Sequence, residues 1–190
     1  MADYYILARS NNDNYPLLEW DQKSGMFRKW KPVAISDPVS LRLGEPVPNN
    51  PEMVDYHSLP KPVVSEKINN ILEAMEIYGI QLLPAKVKVN NDELDYWFVH
   101  IFNKIACLDL EKSQCEIDDD DGGVLDIMRL VLNDAVLEEI PLEHRLVFVL
   151  SEYTAVYLYH ETVRDAIMSV NPVGLRFFNV DEWSTDSAFS

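Results

Sequence analysis

The chain has 190 residues, with 16 lysines and arginines against 32 aspartates and glutamates, a net charge of −16, and 47% of it is hydrophobic. That length and apolar content support a packed core and exclude a disordered chain. The acidity excludes polyanionic partners, because neither nucleic acid nor an anionic membrane attracts a surface of this sign. The N-terminus lacks a basic stretch followed by a long apolar run. The apolar run Leu146 to Leu150 is far short of the ~20 residues that cross a bilayer. A soluble cytoplasmic protein is expected, with Cys107 and Cys115 as two free thiols.

Eight of the eleven prolines fall within the first 62 residues, which predicts short strands and irregular connections there. Tyr4 to Ala8 and Leu17 to Trp20 read as strands, and Pro46 to Pro62 as a long surface segment without regular structure. The first helix is expected from Ser65, which can cap it, with Ile68, Ile71, Leu72, Met75 and Tyr78 as its apolar stripe and Gly79 as its end. A strand from Ile80 to Val89, bent at Pro84, is followed by an Asn90-Asn91-Asp92 turn and an aromatic strand from Leu94 to Phe102. Ile105 to Leu108 and Ser113 to Ile117 suggest another hairpin, and Val124 to Leu132 and Arg145 to Leu150 further strands. A second helix is expected from Ser151-Glu152 to about Val170, with His160, Arg164 and Asp165 near its polar side, before a last strand from Gly174 to Phe178.

One echo stands out: Val64-Ser65-Glu66, a helix and Gly79 resemble Leu150-Ser151-Glu152, a helix and Gly174. The predicted fold is α+β, a largely antiparallel sheet with two main helices packed on it. The expected organisation is one domain over 1–190, comprising proline-rich strands and loops (1–62), an α+β core (63–183) and a tail (184–190).

Chemistry finds little purchase. His57, His100, His144 and His160 have no metal-ligand spacing, and His160-Glu161 lacks the second histidine of a zinc motif. No GxSxG elbow and no glycine-rich phosphate loop occurs. The run Asp118-Asp119-Asp120-Asp121 fails as a calcium loop, because position five is Gly122 and position twelve is Arg129. No catalytic, cofactor or metal residue is assigned, and no enzyme is expected.

The charge itself is informative. Residues 109–143 hold twelve acids against Lys112 and Arg129, a net −10, whereas residues 1–60 come to −2. Such a concentrated field speeds association with a cationic protein. Asp118, Asp119, Asp120, Asp121, Asp134, Glu138 and Glu139 are the candidate contacts, with Tyr153 and Tyr157 as aromatic anchors.

The succession Pro62-Val63-Val64-Ser65-Glu66-Lys67, Gly79 to Ala85, Tyr96 to His100, Ala106 to Ser113, Arg145 to Val149, Ser151-Glu152 and Gly174 to Phe177 resembles a bacterial family of polymorphic-toxin immunity proteins, over about Pro60 to Trp183. The resemblance implies a cytoplasmic antidote that binds and blocks a cognate toxin without chemistry of its own, and it carries over no catalytic residue. The charge points to a basic toxin, plausibly a nuclease. The alternatives are an acidic DNA mimic or regulatory binding protein, and a hydrolase with an unrecognised acid pair.

Overall fold

The computed structural model describes residues 4–189; Met1 to Asp3, and Ser190 at the end of the expected tail, lie outside them. In chain order the strands and helices are β1 (Tyr4–Arg9), β2 (Leu18–Trp20), β3 (Val39–Leu43), β4 (Tyr56–His57), β5 (Val63–Val64), α1 (Glu66–Ala74), β6 (Ile80–Val89), β7 (Asp92–Ile101) and β8 (Lys104–Ile105). They continue with β9 (Gln114–Ile117), β10 (Val124–Arg129), α2 (Asp134–Glu138), β11 (Val147–Leu150), β12 (Tyr157–His160), α3 (Glu161–Met168) and β13 (Leu175–Asn179). Three sheets form, in the orders β2-β3-β6-β7-β5-β4, β13-β1-β12-β11-β8 and β10-β9. Pairing is antiparallel except for β3 with β6 and β8 with β11, so the α+β class with an antiparallel-rich sheet holds.

Side-chain alternation along the strands creates three cores in layers. On one face of the six-stranded sheet, Val63, Ala85, Val87 and Phe98 pack with Leu18, Phe27 and Leu41. On the other face, Val64, Val99 and Ile101 meet Leu7, Val147, Val149 and Tyr159 of the five-stranded sheet, with Ile68 and Leu72 of α1 and Val163 and Ile167 of α3 in the same core. The far face of the five-stranded sheet, with Ile6, Phe148, Leu150 and Leu158, packs against Ile127, Leu130 and Leu137. Fully buried Phe27, Phe98 and Phe148 each stabilise the fold by roughly 1.5–3 kcal/mol.

The two helices sit in two copies of one unit. In the first, β5 leads through α1 to β6, and both strands flank β7; in the second, β12 leads through α3 to β13, and both flank β1. Glu161 lies 95 residues after Glu66 at the helix starts. Asn171 follows Glu76, and Gly174 follows Gly79, at the same interval, all four with positive φ. Register agrees as well. Val63 faces Phe98 and Leu158 faces Ile6, while the Gly79 carbonyl accepts from Phe102 N and the Gly174 carbonyl from Ser10 N. The echo in the sequence is therefore real but begins elsewhere: Ser65-Glu66 matches His160-Glu161, not Ser151-Glu152.

That shift corrects the second helix. The predicted helix from Ser151 to Val170 starts only at Glu161: residues 151–156 are turns, bends and irregular backbone, and Tyr157 to His160 is strand β12, with β1 on one side and β11 on the other. His160, expected near a polar helix side, is buried and caps α3, its ring nitrogen accepting from Thr162 N. In α1, Ser65 stands at the cap position, but its hydroxyl donates to Asp55 Oδ1 at 2.7 Å. The helix ends four residues short of Tyr78, which is left exposed.

Other departures have equally local causes. The Ile105 to Leu108 segment does not pair with Ser113 to Ile117: β8 joins the edge of the five-stranded sheet and β9 pairs with β10. The strand through Pro84 is continuous, with Pro84 one residue before the stretch that β3 covers. The segment from Pro46 to Pro62 buries Val54, Tyr56 and His57 and contributes β4. The proline-rich third thus supplies four strands to the two large sheets, including β1, which lies between β13 and β12. The short α2 has no counterpart in the sequence reading. Thr185 in the expected tail hydrogen-bonds Ile127 N and O (3.1 and 3.2 Å).

Candidate functional site

Residues 109–143 form the outer layer over the five-stranded sheet. Its inner side is tied down: Ser113 Oγ donates to the Val131 carbonyl and accepts from Val131 N (3.1 and 3.0 Å). The Asn133 side chain caps α2 at Val136 N. The Arg145 guanidinium donates to the Ile140 carbonyl at 2.9 Å and to the Tyr4 hydroxyl at 2.8 Å. The outer side carries the acids, and among them Leu110, Ile117, Leu125, Met128 and Leu142 stand exposed. Five of the eleven large apolar residues that are exposed among the described residues fall in this fifth of the chain, a concentration that folding does not call for.

The aspartate run caps the β9–β10 hairpin. Its loop closes by Asp118 N donating to the Gly123 carbonyl and Gly122 N to the Asp118 carbonyl (2.8 and 2.9 Å). The Asp118 carboxylate accepts from Asp120 N at 2.8 Å, and that of Asp121 accepts from Gly123 N at 2.8 Å. These two carboxylates hold the turn in shape. Asp119 and Asp120 are exposed, and among the described residues their side chains make no hydrogen bond or ion pair.

The other candidate residues divide. Asp134, Glu138 and Glu139 lie exposed on and just after α2, in the same layer as the hairpin. Lys112 bonds Asp109 at 2.7 Å; that contact lowers the Asp109 pKa and raises that of Lys112, which Asp134 and Glu111 raise further. Tyr153 is half-buried against the core beneath the layer. Tyr157 is not brought to it. This residue packs on the inner core between the two large sheets, accepts a hydrogen bond from Lys61 at 3.3 Å, and burial pushes its pKa up to about 12.

The exposed apolar residues were missed by the sequence reading, although a signal existed. Val124, Leu125, Ile127, Met128 and Leu130 place five apolar side chains in seven positions. A two-stranded ribbon with one face on a core hides only part of such a set. Bulges between Val124 and Asp126 and between Ile127 and Arg129 send Ile127 inward and leave Leu125 and Met128 out.

Elsewhere, a cavity of about 370 Å³ is lined by Pro38, Pro84, Tyr96 and Trp97 and by the Lys86–Asp95 ion pair. Among the described residues no three histidines, cysteines or carboxylates converge as metal ligands. Among the described residues no helix is long and apolar enough to cross a membrane. Three aspartates have lowered pKa values, each beside a lysine. The Lys88 contact lowers Asp21 and the Lys112 contact lowers Asp109. At Asp55, burial works against the charge, but the bonds from Lys67, Ser65 and Val173 N outweigh it.

A family model described as an immunity protein family, Imm11, matches residues 5–182. The match begins in β1 and so takes in the proline-rich third, beyond the stretch from Pro60 that the sequence resemblance covered. That wider span suits a fold in which β1 is the central strand of one repeated unit. No curated protein matches the chain.

Proposed function

Because the chain belongs to the Imm11 immunity protein family, we propose that it is a cytoplasmic antidote that binds a cognate protein toxin through its acidic outer layer and blocks it without chemistry of its own. The observation that carries this reading is the coincidence, on residues 109–143, of a net charge of −10 with five exposed apolar side chains. The carboxylates steer a basic partner. Leu125, Met128 and their neighbours supply the desolvated centre that such a contact needs. A standard interface takes about 800 Å² from each partner, a small share of the 10220 Å² this chain exposes. A nuclease fits the required sign, because its substrate groove is positive.

The test is co-purification and cell protection with the product of the neighbouring gene. Asp119→Lys with Asp120→Lys reverses two charges and is expected to slow association about tenfold or more at low salt, with little change at high salt. Leu125→Ser with Met128→Ser is expected to speed dissociation instead. A chain that neither binds that product nor protects cells sinks the assignment. Steeply salt-dependent binding to many DNA-binding proteins would favour the DNA mimic.

A further inference from the structure

At the rim of the inner core, where the two large sheets meet, cations gather without an acid. Lys61 Nζ lies 4.7 Å from the centre of the Trp30 ring and Lys104 Nζ 5.1 Å from it. Lys104 and Tyr157 both pair with Val149, so they lie in line across β8, β11 and β12. Among the described residues neither lysine is in an ion pair, nor are Arg28, Lys29 and Lys31 beside Trp30. By contrast, Arg42, Lys67, Lys86, Lys88, Lys112 and Arg164 each hold a carboxylate. The half-buried Lys61 ammonium has three protons to donate and, among the described residues, finds a single acceptor, the Tyr157 hydroxyl. Burial, and then repulsion from Arg28, lowers its pKa. In so acidic a chain, unpaired cations around one ring are not a by-product of composition.

The segment that carries Trp30 is held in place. Trp30 has φ +48°, a conformation that bulky residues rarely adopt and that persists only where the surroundings impose it. His100 Nε2 bonds the Lys31 carbonyl at 2.9 Å. The Gln81 amide makes two bonds to the backbone of Val33, accepting from its N–H at 2.8 Å and donating to its carbonyl at 3.0 Å. Guarding the sheet edge explains a lysine at β8, but not the half-buried Lys61.

We propose that this cluster binds a carboxylate-rich extended segment of the protein partner, with Lys61 and Lys104 as the ligating cations and the Trp30 ring beside both. Both ammonium groups lie near one ring, within about 10 Å of each other. Carboxylates at alternate positions of an extended chain, about 6.6 Å apart, can reach both. Phosphate sites typically add backbone N–H groups from a helix N-terminus or a glycine-rich turn, and the five cations and Trp30 lie in none of the α-helices. The proposal rests on the reading of the chain as a protein-binding inhibitor and deepens it: the acidic layer takes a basic face of the partner, and the lysine cluster at Trp30 an acidic one.

The test needs no toxin. A hexaglutamate peptide is titrated into the protein at about 0.15 M salt, where exposed charges more than about 8 Å away are screened, and the four tryptophan indole N–H signals are followed by NMR. The signal absent from Trp30→Phe is expected to shift. Lys61→Gln and Lys104→Gln are each expected to weaken binding about tenfold, while Lys86→Gln, which removes a lysine already paired with Asp95, leaves it unchanged. No shift of the Trp30 signal, equal binding by all three lysine variants, or a stronger response to inorganic phosphate than to the peptide overturns the proposal. Toxin protection is scored separately, so the lysine cluster can fail while the inhibitor reading stands.

Discussion

Gly174→Ala is expected to cost about 2–5 kcal/mol of folding stability. Two contributions add. Gly174 has φ +90°, and an L side chain held in a left-handed conformation costs roughly 1–2 kcal/mol. The new methyl would stand 2.5 Å from both Cβ and Cγ2 of Val54, a buried side chain with little room to move, and such overpacking costs a further 1–3 kcal/mol. The backbone cannot relax cheaply, because Ser10 N donates to the Gly174 carbonyl at 2.9 Å and Asp55 N to the Val173 carbonyl at 3.0 Å. Urea unfolding should show a lower midpoint with an unchanged slope, and heating a midpoint lower by roughly 4–20 °C. Gly79→Ala, at the equivalent place in the other unit and facing Asn103, should behave alike, whereas Gly25→Ala, with nothing within 4 Å, should be close to neutral. A Gly174→Ala protein within about 0.5 kcal/mol of the parent would refute the claim that this junction is sterically closed.

His57 is buried with its Nδ1 3.0 Å from the Pro16 carbonyl, and burial lowers its pKa to about 4. The unfolded chain then binds a proton that the native state refuses, so stability is full above pH ~6.5 and falls as the pH drops towards 4, by roughly 3 kcal/mol; His57→Phe should flatten that slope in unfolding curves taken from pH 7 to 4. Asp55 accepts from Ser65 Oγ (2.7 Å), Lys67 Nζ (2.9 Å) and Val173 N (2.7 Å), linking the start of α1 to the approach to β13. Its depressed pKa adds stability that is present above pH ~4 and lost as the pH falls below it. Asp55→Asn should cost about 1.5–3 kcal/mol at neutral pH and remove that acid limb from denaturation curves.

Long strands with regular alternation were legible because each residue's face is set by its neighbours. The β6–β7 hairpin spans Ile80–Val89 and Asp92–Ile101 around Asn90 and Asn91, close to the expectation. The segment from Ser151 to His160 misled because its residues suit helix or strand equally, and the choice was made by β1 and β11, which lie on either side of it. The candidate site was legible in its charge and illegible in its surface. Asp119 and Asp120 face solvent as an acidic run should, but Asp118 and Asp121 spend carboxylate oxygens on their own turn, and Tyr157 lies on another core.

By itself the sequence determined the acidity and where it concentrates, the α+β class, and the pairing of a helix with a glycine-led strand that occurs twice. These depend on composition and on contacts between residues close in the chain. Tertiary structure alone decided that β1 is the central strand of the second unit, that Leu125 and Met128 face outward, and that Trp30, Lys61 and Lys104 meet. Each of those outcomes depends on which distant strand supplies the partner, and neither local propensity nor charge encodes that choice.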